Sequence, residues 1–94
     1  MDKETFKIEA KEKIEDISSE FEQLEKKSEK LSSEIKKDFK QKLDSLKEQK
    51  KKLESKFEEV KASSQLNWEI VQETFENTEN SIKSGINELT ESVN

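Results

Sequence analysis

The sequence predicts an all-α protein built from long amphipathic helices. An apolar seam with steps of three and four runs from Phe6 to Val60 and, beyond a short interruption, from Trp68 to Val93. Its mean spacing of about 3.6 residues keeps one face of an α-helix pointing one way. Proline is absent and Gly85 is the only glycine, so the strong helix breakers do not interrupt the first eighty residues. Charged residues make up 44% and apolar residues 28% of the chain, which is typical of helices that bury a narrow stripe and not a thick globular core.

The first element is expected to be one coiled-coil helix over residues 1–61. Its apolar seam is close to a strict a/d pattern, as in two-stranded contacts. Serine competes with helix in mid-segment, but the seam passes through Ser32-Ser33 in phase, from Leu24 to Leu31, Ile35 and Phe39. We therefore predict a continuous helix of about 60 residues, roughly 90 Å long at 1.5 Å per residue.

A turn is expected at residues 62–67, followed by a shorter amphipathic helix over residues 68–94. Leu66 falls on the side opposite Trp68, and Ser64 or Asn67 could cap a new helix. We interpret Trp68 as the anchor where the second helix folds back on the first. An ordinary seam position at a dimer interface explains this tryptophan equally well.

We expect the two helices to form one structural unit, an antiparallel coiled-coil hairpin that assembles as a homo-oligomer through the seam. Residues 1–35 carry 7 lysines and 11 acidic residues, residues 36–61 carry 10 and 6, and residues 62–94 carry 1 and 6. This pattern favours a fold-back or a staggered assembly, because two basic middle segments side by side would repel. It also suits the alternative fold, a monomeric three-helix bundle with an additional turn near residues 28–34.

The predicted interface consists of the seam residues. They are Ile14, Ile17, Phe21, Leu24, Leu31, Ile35, Phe39, Leu46, Leu53, Phe57, Val60, Trp68, Val71, Phe75, Ile82, Ile86 and Leu89.

The composition excludes several kinds of chemistry. Neither cysteine nor histidine is present, so a disulfide, a thiolate zinc site and an imidazole base are ruled out. Carboxylates on a thin, solvated helix lack the burial that would separate their pKa values for acid–base work. We therefore expect no enzyme activity, no catalytic residue, no cofactor and no metal site.

Self-association is the expected interaction, and an unidentified protein is a further expected partner. The basic middle segment, residues 47–61, is the region that could contact nucleic acid or an anionic membrane surface. The chain has no arginine, and acidic residues are interleaved with these lysines, so nucleic acid is disfavoured. We expect a cytoplasmic interaction or scaffold protein, with a lipid-associating amphipathic protein as the alternative.

Four stretches resemble a family of small bacterial coiled-coil proteins of about this length. They are the run from Phe6 to Ile14, the middle from Lys36 to Lys56, the junction Ala62-Ser63-Ser64-Gln65-Leu66-Asn67-Trp68-Glu69 followed by Phe75, and the ending Lys83-Ser84-Gly85-Ile86. The junction, with its Ser-x-x-x-Trp spacing, and the Lys-x-Gly-Ile ending are the more specific parts. The resemblance implies a soluble α-helical protein without catalytic residues.

Overall fold

The computed structural model describes residues 2–62 and 68–92, which form three α-helices and no strand. The helices are α1 (Lys3–Ser28), α2 (Ser33–Ala62) and α3 (Trp68–Ser92). The all-α prediction is therefore confirmed. Most of the turn expected at residues 62–67 lies outside the described residues, but α2 ends and α3 begins on either side of it.

The predicted single helix over residues 1–61 is wrong, because residues 29–32 interrupt it. The amides of Lys30 and Leu31 bond to carbonyls three residues back, at 3.2 and 3.1 Å, the short bonds that tighten the end of a helix. The first hydrogen bond of α2 then runs from the Lys36 amide to the Ser32 carbonyl, at 2.8 Å. The additional turn that the alternative fold requires therefore lies at residues 29–32.

Local chemistry allows the helix to stop at this serine-rich stretch. The buried Ser28 hydroxyl donates to the Glu25 carbonyl at 2.6 Å and so competes with helix continuation. Serine is also favoured just before a helix starts, and Glu34 in the first turn of α2 suits the positive end of its dipole. The seam misled the prediction because it stays in phase on both sides of a four-residue turn.

The three helices run up, down and up. The Lys3 ammonium reaches the Lys61 carbonyl at 3.4 Å, and Lys47 pairs with Glu25, so α1 and α2 are antiparallel. Phe6, near the start of α1, packs on Trp68 at the start of α3, so these two helices are parallel. The described chain measures 50 × 17 × 17 Å, about half the length expected for one continuous helix.

Gly85 lets α2 and α3 approach closely. A Cβ atom at this position would overlap the terminal methyl groups of Leu46. Glycine inside a helix costs about 1 kcal/mol in helix propensity, which the close packing of Leu46 offsets.

Candidate functional site

The predicted seam is largely buried inside one chain. Twelve of its members are buried against one another: Ile17, Phe21, Leu24, Phe39, Leu46, Leu53, Val60, Trp68, Phe75, Ile82, Ile86 and Leu89. Ile14, Leu31, Phe57 and Val71 are half-buried against this core, and Ile35 is exposed. The side chains predicted to join two copies of the chain therefore make their contacts within one copy.

The core also contains apolar residues absent from the predicted interface. Phe6, Ala10 and Leu43 are buried, and Phe6 packs at 5.8 Å from Trp68 and edge-on at 5.4 Å from Phe75, between ring centroids. Phe6 was visible as the start of the seam. Leu43 was not included in the predicted interface because the neighbouring Lys42 interrupts the apolar seam.

A buried carboxylate lies among the apolar residues where α1 meets α3. Only 3% of Glu79 is exposed, and its oxygens lie 3.3 Å from the Lys13 ammonium and 3.2 Å from the Lys83 ammonium. Oε2 has a cation nearby but no aligned hydrogen-bond donor among the described residues, so charge attraction holds it. The burial of Glu79 could have been predicted from its position in the seam, four residues after Phe75 and three before Ile82.

No metal site is evident in the described part of the chain. Residues 2–62 and 68–92 contain no group of three or more carboxylates arranged to hold a metal ion. The groove between α2 and α3 has a volume of about 450 Å³ and is lined by Lys42, Gln49, Glu88 and several small side chains. The Oε1 atom of Gln49 is buried, and it has no hydrogen-bond donor within the described part of the chain.

The basic middle segment, expected to be the region for polyanions, is largely neutralised by its own neighbours. Four of its lysines pair with a glutamate three or four residues away on α2, as Lys50–Glu54 does at 3.0 Å, and a fifth pairs with Glu25 of α1. The five cations are Lys47, Lys50, Lys51, Lys56 and Lys61. Lys52 completes the segment, and within the described residues it forms no ion pair.

The lysines that have no ion pair among residues 2–62 and 68–92 concentrate instead around the α1–α2 turn. We call this cluster the basic tip. It consists of Lys26, Lys27, Lys30, Lys36, Lys37, Lys40 and Lys42. All are exposed except the half-buried Lys36. The sequence prediction missed the cluster because it divided the charge pattern at residue 35, through the middle of the tip.

The basic tip carries a positive charge in an acidic protein. Residues 26–42 contain seven lysines and three acidic residues, a net charge of +4, whereas the whole chain carries −5 and the remainder therefore −9. Glu88 of α3 lines the groove beside Lys42, and Glu91 lies one turn further along α3. At the end of the bundle that carries the α1–α2 turn, the positive charge is thus confined to the side formed by α1 and α2.

Helix stability does not account for the whole cluster. Lys26 and Lys27 lie in the last turn of α1, where cations favour the negative end of the helix dipole. Lys36 lies at the end of the first turn of α2, where the dipole disfavours cations. Lys36 and Lys40 are also like charges four residues apart on one helix, which is unfavourable by a few tenths of a kcal/mol.

An exposed apolar side chain lies within the basic tip. Three large apolar residues of the described chain are strongly exposed: Ile8 at 63%, Ile35 at 53% and Ile70 at 69%. Ile35 belongs to the first turn of α2 and is flanked by Lys36 and the half-buried Leu31. The tip therefore combines unpaired ammonium groups with accessible hydrocarbon.

The described helices contain no segment with the length and apolar content needed to cross a membrane. The resemblance to small bacterial coiled-coil proteins stays a prediction. Comparisons of the chain with models of protein families, with curated proteins and with solved structures find no match.

Proposed function

We propose that this chain is a non-enzymatic binding protein whose basic tip contacts an anionic partner. The observation that carries the proposal is the segregation of its lysines. Those on the rest of α2 are mostly paired with glutamates, whereas the seven at the tip have no ion pair among the described residues. An external anion explains this segregation better than folding does, because Lys36 lies where the dipole of α2 disfavours a cation and Lys36 and Lys40 are like charges four residues apart.

The shape of the molecule supports contact through the tip. The ten residues of α2 in the tip span about 15 Å, while the described chain is 50 Å long. At physiological ionic strength the Debye length is about 8 Å. An anionic partner at the tip is therefore attracted by the local +4 and screened from much of the acidic remainder.

We further infer that the three helices form a self-contained bundle that needs no second copy. Burial of the seam within one chain supports this inference, because it removes the apolar surface through which oligomerisation was expected. A scaffold role then depends on the outer, charged surfaces. The cytoplasm remains the expected location.

Retention on immobilised heparin tests the proposal with a general polyanion probe. The variant K37E/K40E reverses two exposed tip lysines, and K51E/K52E makes the same charge change on an exposed part of α2 outside the tip. We expect K37E/K40E to elute at clearly lower salt than the unmodified chain and K51E/K52E to elute close to it. Equal loss in both variants, or no retention of the unmodified chain at 50 mM NaCl, would contradict the proposal.

A further inference from the structure

We propose that the anionic partner of the basic tip is a lipid bilayer surface, with Ile35 inserted between anionic headgroups. The inference rests on the proposed function and adds the chemistry of the partner. It assigns a role to both components of the tip, the seven lysines without an ion pair among the described residues and the exposed isoleucine, and it fixes how the molecule stands on the membrane.

The mixed chemistry of the tip favours lipid over nucleic acid. An anionic bilayer offers phosphate or carboxylate groups at its surface and hydrocarbon a few ångströms deeper, which matches ammonium groups around a side chain that is 53% exposed. Nucleic-acid sites use arginine and aromatic stacking. This chain has no arginine, and Phe39, the nearest aromatic residue along the chain, is 3% exposed.

The distribution of charge and the dimensions fix an end-on orientation. The residues outside 26–42 carry −9 and would be repelled by an anionic surface if the protein lay on its side. Standing on the tip, a body 50 Å long keeps the acidic residues of the Phe6–Trp68 end several Debye lengths away, while Glu88 and Glu91 of α3 stay at the membrane end. Trp68 lies at the opposite end, beside Phe6, and stays far from the lipid.

The expected effects follow from the two components. A lysine close to an anionic membrane strengthens partitioning by about fivefold, so K37Q/K40Q should weaken binding by about 25-fold. Replacing Ile35 by serine removes hydrocarbon of which about half is accessible, and we expect a loss of about tenfold. Ile70, which is 69% exposed on α3 at the Trp68 end, provides a matched control.

Vesicle flotation with the full chain tests these expectations in 100 mM NaCl. Vesicles of phosphatidylcholine alone are compared with vesicles containing 30% phosphatidylserine. We expect binding to the anionic vesicles only, reduced by K37Q/K40Q and by I35S but unchanged in K51Q/K52Q and I70S. Vesicles with brominated acyl chains should leave the Trp68 fluorescence unquenched and should quench an added tryptophan in I35W.

The outcomes separate this inference from the proposed function. Heparin retention that depends on the tip, without flotation of the unmodified chain, would overturn the lipid inference and leave the proposed function standing. Loss of both the heparin retention and the flotation would overturn both the lipid inference and the proposed function. Equal flotation of I35S and the unmodified chain would overturn the insertion of Ile35, and quenching of Trp68 would overturn the end-on orientation. Tighter binding to a 30-base-pair DNA duplex than to anionic vesicles would assign the tip to nucleic acid.

Discussion

The buried carboxylate of Glu79 gives a prediction in which removing the carboxylate and removing its two lysine partners have very different costs in stability. Its side chain is 4% exposed, whereas those of Lys13 and Lys83 are 36% and 56% exposed. Removing the carboxylate leaves two cations that can turn toward water. Removing both cations leaves a buried negative charge without compensation. The two changes delete the same ion pairs, but their costs should differ greatly.

The expected magnitudes follow from this difference in burial. E79Q keeps the shape of the side chain and loses contacts to partly exposed lysines, so we expect a change within about 1 kcal/mol. K13M/K83M strands the carboxylate and should cost about 3 kcal/mol, at the lower end of the range for broken buried pairs because the lysines are partly exposed. The triple variant K13M/K83M/E79Q should return to within about 1 kcal/mol of the unmodified protein.

Urea unfolding followed by circular dichroism measures these free energies at pH 7. In thermal unfolding, the lysine double variant should lose roughly 12–24 °C, because 1 kcal/mol shifts the melting temperature of a domain this size by about 4–8 °C. The reasoning is refuted if E79Q destabilises as much as K13M/K83M. It is also refuted if adding E79Q to the lysine variant restores no stability.

Four further predictions concern the fold. Phe75 is fully buried, so F75A should cost about 3–5 kcal/mol in urea unfolding, and a cost below 1 kcal/mol would contradict its place in the core. G85A should gain less than the roughly 1 kcal/mol that helix propensity offers, because the Leu46 methyl group must move aside, and the full gain should appear in an L46A background. The Asp2 carboxylate accepts the Thr5 amide at 2.7 Å, and this hydrogen bond holds the pKa of Asp2 below its usual 3.8. Since its folded pKa is lowered, its stabilisation is present above pH 3.8 and is lost as the pH falls through the folded value. D2A should therefore speed exchange of the Thr5 amide at about pH 6, and this effect should shrink as the pH is lowered below 3.8. Light scattering with small-angle X-ray scattering should show a monomer close to 50 Å long. A dimer about 90 Å long would instead support the continuous helix predicted from the sequence.

Much of the local structure could be predicted from the sequence because helix periodicity is a short-range property. Steps of three and four residues, good helix formers and the absence of proline determine that Phe21 and Leu24 share one face, whatever the helix packs against. The same holds for Phe75, Ile82 and Ile86. Twelve of the seventeen predicted seam residues are buried for this reason.

The turn at residues 29–32 and the partners of the charged side chains were decided by tertiary structure. A seam that stays in phase across Leu31 and Ile35 fits both a continuous helix and two helices, so the choice depends on whether the chain can bury its stripe against itself. Once it folds back, Lys47 meets Glu25 and Glu79 meets Lys13.

The basic tip shows the same division between sequence and structure. The number of lysines is a property of the sequence, but which of them lack a partner depends on which helices become neighbours. Five of the six lysines of residues 47–61 find glutamates on α2 or on α1, while those around the turn do not among the described residues. The chain alone therefore determined an acidic, helical protein with a narrow apolar stripe. Folding decided where its positive charge stays available, because ion pairing depends on distances of a few ångströms that only packing sets.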